Sequence, residues 1–205
     1  MAKIEYVDYV DLAGKAKDIR THAQELNKEL STVYKSVIDM HQNWYGKRYN
    51  ELAKDFNELA PSIDEILKIT VTEIPFALET VSNNYSQADS GTNATSAQQT
   101  QAVKMANVAT PNDIGMRFLT AEVIAVKESV RKNFERAVAE LNTLESIYNR
   151  ISWKSEAAEA FRLKFTLLKN KITKEIDTIN TQFDRLMKQT LDDIQTAENQ
   201  NTVNQ

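Results

Sequence analysis

The residue types that most often carry catalysis are few and scattered in this chain of 205 residues. Its two histidines, His22 and His41, lie 19 positions apart, a spacing that matches no metal-binding helix motif. The absence of cysteine excludes disulfides, thiolate metal sites and a cysteine nucleophile. With only 4 glycines, the chain has no Gly-rich loop of the kind that holds phosphate. We therefore expect no catalytic residue, no metal site and no cofactor.

Acidic residues are numerous but are not arranged for acid–base chemistry. Asp64-Glu65 and Asp192-Asp193 are neighbours in sequence, so on a helix their carboxylates point in different directions. A di-iron helical bundle requires Glu-x-x-His, which does not occur in this sequence. The net charge of −4 lacks the basic excess of a nucleic-acid-binding protein. We expect neither an enzyme nor a nucleic-acid partner.

Apolar periodicity predicts four long helices. The chain has 4 glycines and 3 prolines, whereas an average chain of this length has about 14 and about 10, so turn-rich β folds are disfavoured. Apolar residues recur every three or four positions in four stripes, which is the spacing of one helix face. The stripes cover residues 12–40, 49–74, 119–147 and 161–191. No apolar run approaches the roughly 18 residues of a membrane span, so we expect no stable membrane insertion.

Two prolines, Pro61 and Pro75, fall inside the second stripe. Each removes one backbone N–H donor, and each ring crowds the preceding helical turn. The sequence leaves open whether these prolines kink the second helix or end it.

The segment between the second and third stripes differs in composition. Residues 86–110 are rich in Ser, Thr, Asn, Gln and Ala, which is typical of a flexible linker, although residues 102–109 could form a short helix. Thr110 and Pro111 are typical of an N-cap and a first helical residue, so the third helix is expected to begin at Pro111. The predicted organisation is therefore a hairpin at 1–85, a linker at 86–110, a hairpin at 111–196 and a polar tail at 197–205.

The two halves form an internal repeat. Trp44 and Trp153 each interrupt a pair of helices, and they lie 109 positions apart. The same offset relates the helices that follow them, for example Phe56 to Phe165, whereas the preceding helices align at an offset of 107. Each half is therefore predicted to be a helical hairpin with a tryptophan at its turn.

One hairpin alone would leave much of its apolar stripe in contact with water, which favours packing of the two hairpins face to face. Helices of about 35 residues are about 50 Å long, and an extended linker of about 25 residues reaches roughly 80 Å. The linker can therefore return along the whole bundle. We predict an all-α fold in which two helix-turn-helix hairpins pack antiparallel as an elongated four-helix bundle.

At the turns, each half resembles the Trp-x-Gly proteins of about 100 residues, the small helical-hairpin substrates of type VII secretion. Trp44-Tyr45-Gly46 matches the family motif, and Trp153-Lys154-Ser155 has Ser in place of Gly. Gly46 permits a tight turn or a positive φ, whereas the Ser155 hydroxyl can cap the fourth helix. The whole chain except linker and tail resembles a tandem, fused pair of such proteins.

The family's export signal is a tyrosine followed four residues later by Asp or Glu, just after the second helix of the hairpin. Tyr85 and Asp89 match this pattern in the first half, and the second half has no tyrosine at the corresponding place. In related two-chain complexes, the signal of one partner lies beside the turn of the other. The resemblance therefore implies that Tyr85 and Asp89 lie near Trp153 and Ser155.

The resemblance implies a non-enzymatic substrate, carrier or adaptor that is secreted or displayed at the cell surface without a cleaved signal peptide. Its implied partners are the type VII secretion machinery, above all the secretion ATPase, and a second exported protein. A single chain would then act as an intramolecular pseudo-dimer, with further oligomerisation left open. The alternative is an intracellular structural or scaffolding bundle, which fits the apolar stripes equally well. A membrane-acting helical toxin is disfavoured because no segment is hydrophobic enough.

Overall fold

The computed structural model describes residues 7–153 and 155–202. In chain order these form α1 (Tyr9–Met40), β1 (Trp44–Tyr45), α2 (Lys47–Leu67), a π-helical turn (Lys68–Glu73), α3 (Ile74–Ser90), β2 (Arg117–Phe118), α4 (Thr120–Asn149) and α5 (Glu156–Thr202). Because α2, the π turn and α3 follow one another without a break, they make one long helix. The predicted all-α bundle of four long helices is confirmed.

The predicted apolar stripes form the core. The stripe predicted for α1 has nine residues, and all are buried: Leu12, Ala16, Ile19, Ala23, Leu26, Leu30, Val33, Val37 and Met40. Tyr34 joins them by donating its hydroxyl to the carbonyl of Phe56 at 2.6 Å. Near the middle of the bundle, Phe56 of α2 stacks on Phe134 of α4 with ring centroids 5.9 Å apart. Burial of one large apolar side chain contributes about 1.5–3 kcal/mol, more than a typical surface ion pair. The stripes, rather than the surface charges, therefore hold the bundle together.

The two hairpins pack antiparallel, as predicted. Polar side-chain contacts between the hairpins join higher residue numbers on one helix to lower numbers on its partner. These pairs are Arg48–Asp193, Glu65–Lys164, His22–Glu140 and Glu29–Arg136. The turn of each hairpin therefore lies at the open end of the other.

The long second helix passes through both prolines. α2 includes Pro61, and Pro75 is the second residue of α3, which follows the π turn directly. Just before Pro75, the π turn lets the N–H of Ile74 bond to the carbonyl of Ile69, five residues back. The hydroxyl of Thr70 bonds to the carbonyl of Ile66 at 2.8 Å. The helix therefore absorbs Pro75 by widening one turn rather than by ending.

The predicted start of the third helix at Pro111 is wrong. α4 begins at Thr120 with Leu119 at the N-cap position. The carboxylate of Asp113 bonds to His41 at 2.7 Å instead of serving a helix start. Because β2 then pairs with β1, the chain is held extended until Phe118.

Other helix ends also differ from the prediction. α3 continues to Ser90, where Gly91 follows in the left-handed conformation with φ +71°, so residues 86–90 are helical rather than part of the linker. α5 continues through residues 197–202 of the predicted tail, and residues 203–205 lie outside the described residues. Apolar periodicity alone places a helix end poorly, because a polar helix end has no stripe.

We call residues 91–116 the crossing segment. It returns along the first hairpin, from a bond between the N–H of Thr95 and Asn83 to a bond between Asn50 and the carbonyl of Pro111. The predicted crossover is thus confirmed, but the short helix at 102–109 is not present. The backbone groups of the crossing segment bond instead to side chains of the long second helix, so they do not need hydrogen bonds within a helix of their own.

Candidate interaction site

The first hairpin turns around a fully buried tryptophan. The ring of Trp44 stacks on Phe183 of α5, with centroids 5.8 Å apart, and meets Phe118 of β2 edge-on at 5.4 Å. Such aromatic pairs contribute about 0.5–1.5 kcal/mol beyond their buried area. Trp44 therefore joins the first turn to α5 and to the β2 strand that precedes α4.

A two-residue sheet fixes the same junction. Trp44 pairs with Phe118 and Tyr45 with Arg117 in antiparallel register. Next to this pair, the N–H of Leu119 donates to the carbonyl of Asn43 at 2.9 Å. Backbone hydrogen bonds therefore hold the start of α4 against the first turn. The sequence patterns indicated no strand here, because two residues are too few for a period of two to be visible.

Gly46 is required by the backbone at this turn. Its φ of +114° lies in a region that side chains rarely adopt, and a Cβ at this position would lie 3.4 Å from the carbonyl oxygen of Gly115. The glycine of the Trp-x-Gly motif is therefore required by the positive φ of this turn.

The second turn is built differently. Trp153 is half-buried and lines a small cavity together with Ile74 and Leu78 of α3. Lys154 lies outside the described residues. The hydroxyl of Ser155 accepts the N–H of Ala158 at 3.1 Å, as expected of an N-cap residue. Serine in the glycine position thus starts α5, whereas Gly46 bends the chain.

Arg162, which the sequence patterns did not single out, organises this second turn. Its guanidinium donates to the carbonyls of Tyr148, Ile151 and Trp153 at 3.2–3.3 Å. Tyr148 lies in the last turn of α4, and Ile151 and Trp153 follow its end, where a helix leaves carbonyl acceptors without partners inside the helix. An arginine within two turns of a hairpin turn is a signal that could have indicated this role.

Tyr85 and Asp89 lie one turn apart near the end of α3. Tyr85 is half-buried, whereas Asp89 is exposed and accepts the hydroxyl of Tyr9 at 2.8 Å. This hydrogen bond raises the pKa of Tyr9 above its usual value. The second turn packs beside Leu78, seven residues before Tyr85 and thus about 10 Å away along the helix. The expected closeness of Tyr85 and Asp89 to Trp153 and Ser155 stays a prediction.

The crossing segment is held by a ladder of polar side chains from α2, the π turn and α3. The contacts are Asn50 with Pro111, Asn57 with Val108, Asp64 with Met105, Thr72 with Thr100, Glu79 with Gln98 and Asn83 with Thr95. Positions 50, 57 and 64 are seven apart, as are 72 and 79, so each set lies on one helix face. The π turn supplies the one extra residue that separates the two sets. The ladder therefore stays in register along the whole helix.

The crossing segment also touches α1 and the core. Arg20 of α1 forms a two-armed ion pair with the buried carboxylate of Glu79, at 2.6 and 3.1 Å, and donates to the carbonyl of Gln98. Farther along, Val108 is fully buried and Met105 packs against the core. The segment thus lies over the seam between α1 and the α2–α3 helix.

The two histidines of the first hairpin form hydrogen bonds to carboxylates of α4 and of the crossing segment. His22 bonds to Glu140 and His41 to Asp113, each at 2.7 Å.

Within residues 7–153 and 155–202, no three side chains that could bind a metal ion lie together. In the same part of the chain, no helix is both long enough and apolar enough to cross a membrane.

The fold and the first turn together define a class of protein, in which helical hairpins pack in pairs and a buried tryptophan stands two residues before a glycine at the turn. Residues 6–90 match the model of the WXG100 family, described as proteins of 100 residues with WXG. The match covers the first hairpin, which is less than half of the chain. No curated protein and no solved structure matches the chain. The second hairpin lies outside the matched residues, and its likeness to the family rests on the internal repeat.

Proposed function

We propose that this protein is a non-enzymatic substrate, carrier or adaptor of a type VII-like secretion system, built as a fused pair of WXG hairpins. The observation that carries the proposal is the match of residues 6–90 to a family associated with type VII secretion substrates. The antiparallel second hairpin supports the interpretation that the chain is a fused pair, because it covers the first hairpin along its length.

Fusion has a physical advantage over two separate chains. Two free hairpins lose translational and rotational freedom when they associate, a cost of several kcal/mol or more. Within one chain, the second hairpin is always present at high effective concentration. We therefore expect a monomer that behaves as a pseudo-dimer, and sedimentation equilibrium measures whether further oligomers form.

The proposed export signal consists of Tyr85 and Asp89, to be recognised by the secretion ATPase. Two observations support this assignment. Both residues lie on the last turns of α3, at an end of the bundle, and their four-residue spacing puts them on one helix face. Asp89 is exposed, and the half-buried Tyr85 retains contact with solvent. A docking ATPase therefore has access to both side chains.

The signal is tested by replacing Tyr85 with Ala and measuring the protein in culture medium and in cells. The expected result is loss of export with an unchanged thermal midpoint. The control variant is Asn84→Ala, because Asn84 is the exposed neighbour on the same helix. Normal export of Tyr85→Ala from a strain with an intact secretion ATPase would overturn the signal.

A strain that lacks the ATPase tests the route independently of the signal. Export should stop in that strain, and the mass of the exported protein should equal that of the full chain if no signal peptide is cleaved. A protein found only in the cytosol of wild-type cells would instead favour the intracellular scaffold.

A further inference from the structure

The second hairpin has an open groove where the first hairpin is covered by the crossing segment. This groove lies between α4 and α5 and has a volume of ≈ 520 Å³. Its apolar lining is Phe134, Val138 and Ile176, and its polar lining includes Thr173 and Asn180. It therefore combines an apolar surface with hydrogen-bonding side chains, as the covered seam of the first hairpin does.

The internal repeat aligns the two grooves residue by residue. With the offset of 107, Arg20, which donates to the carbonyl of Gln98, corresponds to Lys127. With the offset of 109, Asp64, which accepts the N–H of Met105, corresponds to Thr173.

The π turn, which contains Thr72, adds one residue to the first hairpin, so the offset for Thr72 is 108 instead of 109. Thr72, which donates to the carbonyl of Thr100, then corresponds to Asn180. Three positions that hold the extended backbone in the first hairpin thus have polar counterparts along the open groove, whereas Glu79 and Asn83 correspond to the apolar Met187 and Leu191 outside it.

One of these polar groups is unsatisfied. The hydroxyl oxygen of Thr173 is buried and has no hydrogen-bond partner among the described residues. A buried polar group without a partner costs free energy. The corresponding carboxylate of Asp64 is satisfied by the backbone of the crossing segment. An extended backbone in the second groove would satisfy Thr173 in the same way.

The charges around the groove favour a neutral or weakly basic occupant. Its lining contains two cations, Lys127 and Arg131, and three carboxylates. Lys127 bonds to Asp184 at 2.8 Å and Arg131 to Glu135 at 3.3 Å, which leaves Asp177 as the excess negative charge. Residues 95–111 of the crossing segment carry one charge, that of Lys104, which lines a cavity beside Asp64 and Glu65 in the first hairpin.

We propose that the α4–α5 groove binds an extended segment of a partner protein, which is uncharged or carries a single lysine and alternates small polar residues with Ala, Val or Met. A second copy of this chain is a poorer candidate. Its crossing segment would have to give up the ladder bonds that hold it in its own first hairpin. The binding is independent of export, because it involves neither Tyr85 nor Asp89.

The probe is a fluorescein-labelled, end-blocked peptide with the sequence of residues 95–111, titrated against the full chain and followed by anisotropy. We expect saturable binding that weakens roughly 30-fold in the double variant Thr173→Ala/Asn180→Ala, since two side-chain hydrogen bonds are lost. The control Thr178→Ala removes a hydroxyl that is exposed on α5 and bonds only its own helix, and it should leave binding unchanged. A scrambled peptide should bind more weakly.

Hydrogen exchange locates the bound peptide. Protection should increase in residues 127–138 and 173–184 and stay unchanged in residues 95–111. Absence of binding, or binding equally strong in the double variant, would overturn the proposal, as would protection confined to the first hairpin. Self-association that the double variant abolishes would assign the groove to a second copy and overturn the partner assignment. Each readout uses purified protein, so it is separate from the export assay.

Discussion

Replacement of Asn57 by Ala tests whether side chains hold the crossing segment in place. The side-chain amide of Asn57 makes both backbone bonds of Val108, donating to its carbonyl at 2.8 Å and accepting its N–H at 2.9 Å. Ala removes both partners and leaves the helix intact, because Ala has the highest helix propensity. The expected result is local release of the segment without unfolding of the bundle.

The magnitude follows from these two bonds. Each contributes about 1 kcal/mol net, so opening of the segment around Val108 should become easier by about 2 kcal/mol. Since 1.4 kcal/mol is a factor of ten, the Val108 amide should exchange roughly 30-fold faster. Asn57→Asp keeps the acceptor and loses the donor, so the increase should be about fivefold, by the same value per bond.

Hydrogen exchange read by NMR provides the measurement, because it reports each amide separately. Asn84→Ala is the matched control, since Asn84 is exposed on α3 and outside the ladder. Exchange of amides in the middle of α1 should stay unchanged in every variant. If the Val108 amide remained as protected in Asn57→Ala as in the parent, the segment would be held by apolar packing and the ladder would not matter.

Three further predictions concern the turns and the core. Trp44→Ala should lower the free energy of unfolding by about 3–5 kcal/mol in urea denaturation, and Trp153→Ala should cost clearly less because its ring is half-buried; equal costs would contradict this. Gly46→Ala should cost about 1–3 kcal/mol because of its positive φ, whereas Gly14→Ala, in open space within α1, should stabilise by up to about 1 kcal/mol; a neutral Gly46→Ala would refute the backbone argument. Burial, followed by the charge of a nearby carboxylate, raises the pKa of Tyr49 to about 12. Because an unfolded tyrosine ionises near pH 10, the unfolded chain loses its proton first, so the free energy of unfolding should fall between about pH 10 and about pH 12. Tyr49→Phe, compared by urea denaturation across this range, should show a smaller fall.

Local patterns were sufficient for the helices and their buried faces. The nine stripe residues of α1 are all buried, and the antiparallel order of the hairpins followed from stripe width and linker length. Pro75 shows where this reasoning stops. The sequence left a kink and a helix end as alternatives, and the structure has a π turn that satisfies neighbouring carbonyls through Thr70. Such a local adjustment depends on packing around the turn, which periodicity does not describe.

The candidate site was predicted only in part. Trp44, Gly46 and the cap at Ser155 were visible as motifs, because each acts within a few residues of its own position. The stacking of Trp44 on Phe183 was not, since those residues are 139 positions apart. Arg162 was also missed, because a lone arginine on a helix has many equivalent uses.

The sequence by itself determined that this protein is a pair of helical hairpins with tryptophan turns, since helix periodicity, low glycine content and the repeat are properties of neighbouring residues. Only the tertiary structure determined the conformation of the crossing segment between the two hairpins. Its composition is typical of a linker, yet its backbone bonds to side chains such as Asn57 and Asp64, which are distant in sequence. An extended segment depends on partners from elsewhere for its backbone groups, so its conformation is decided where those partners meet. For the same reason, the groove of the second hairpin is visible only in the folded chain, where the Thr173 hydroxyl has no partner among the residues that the structure describes.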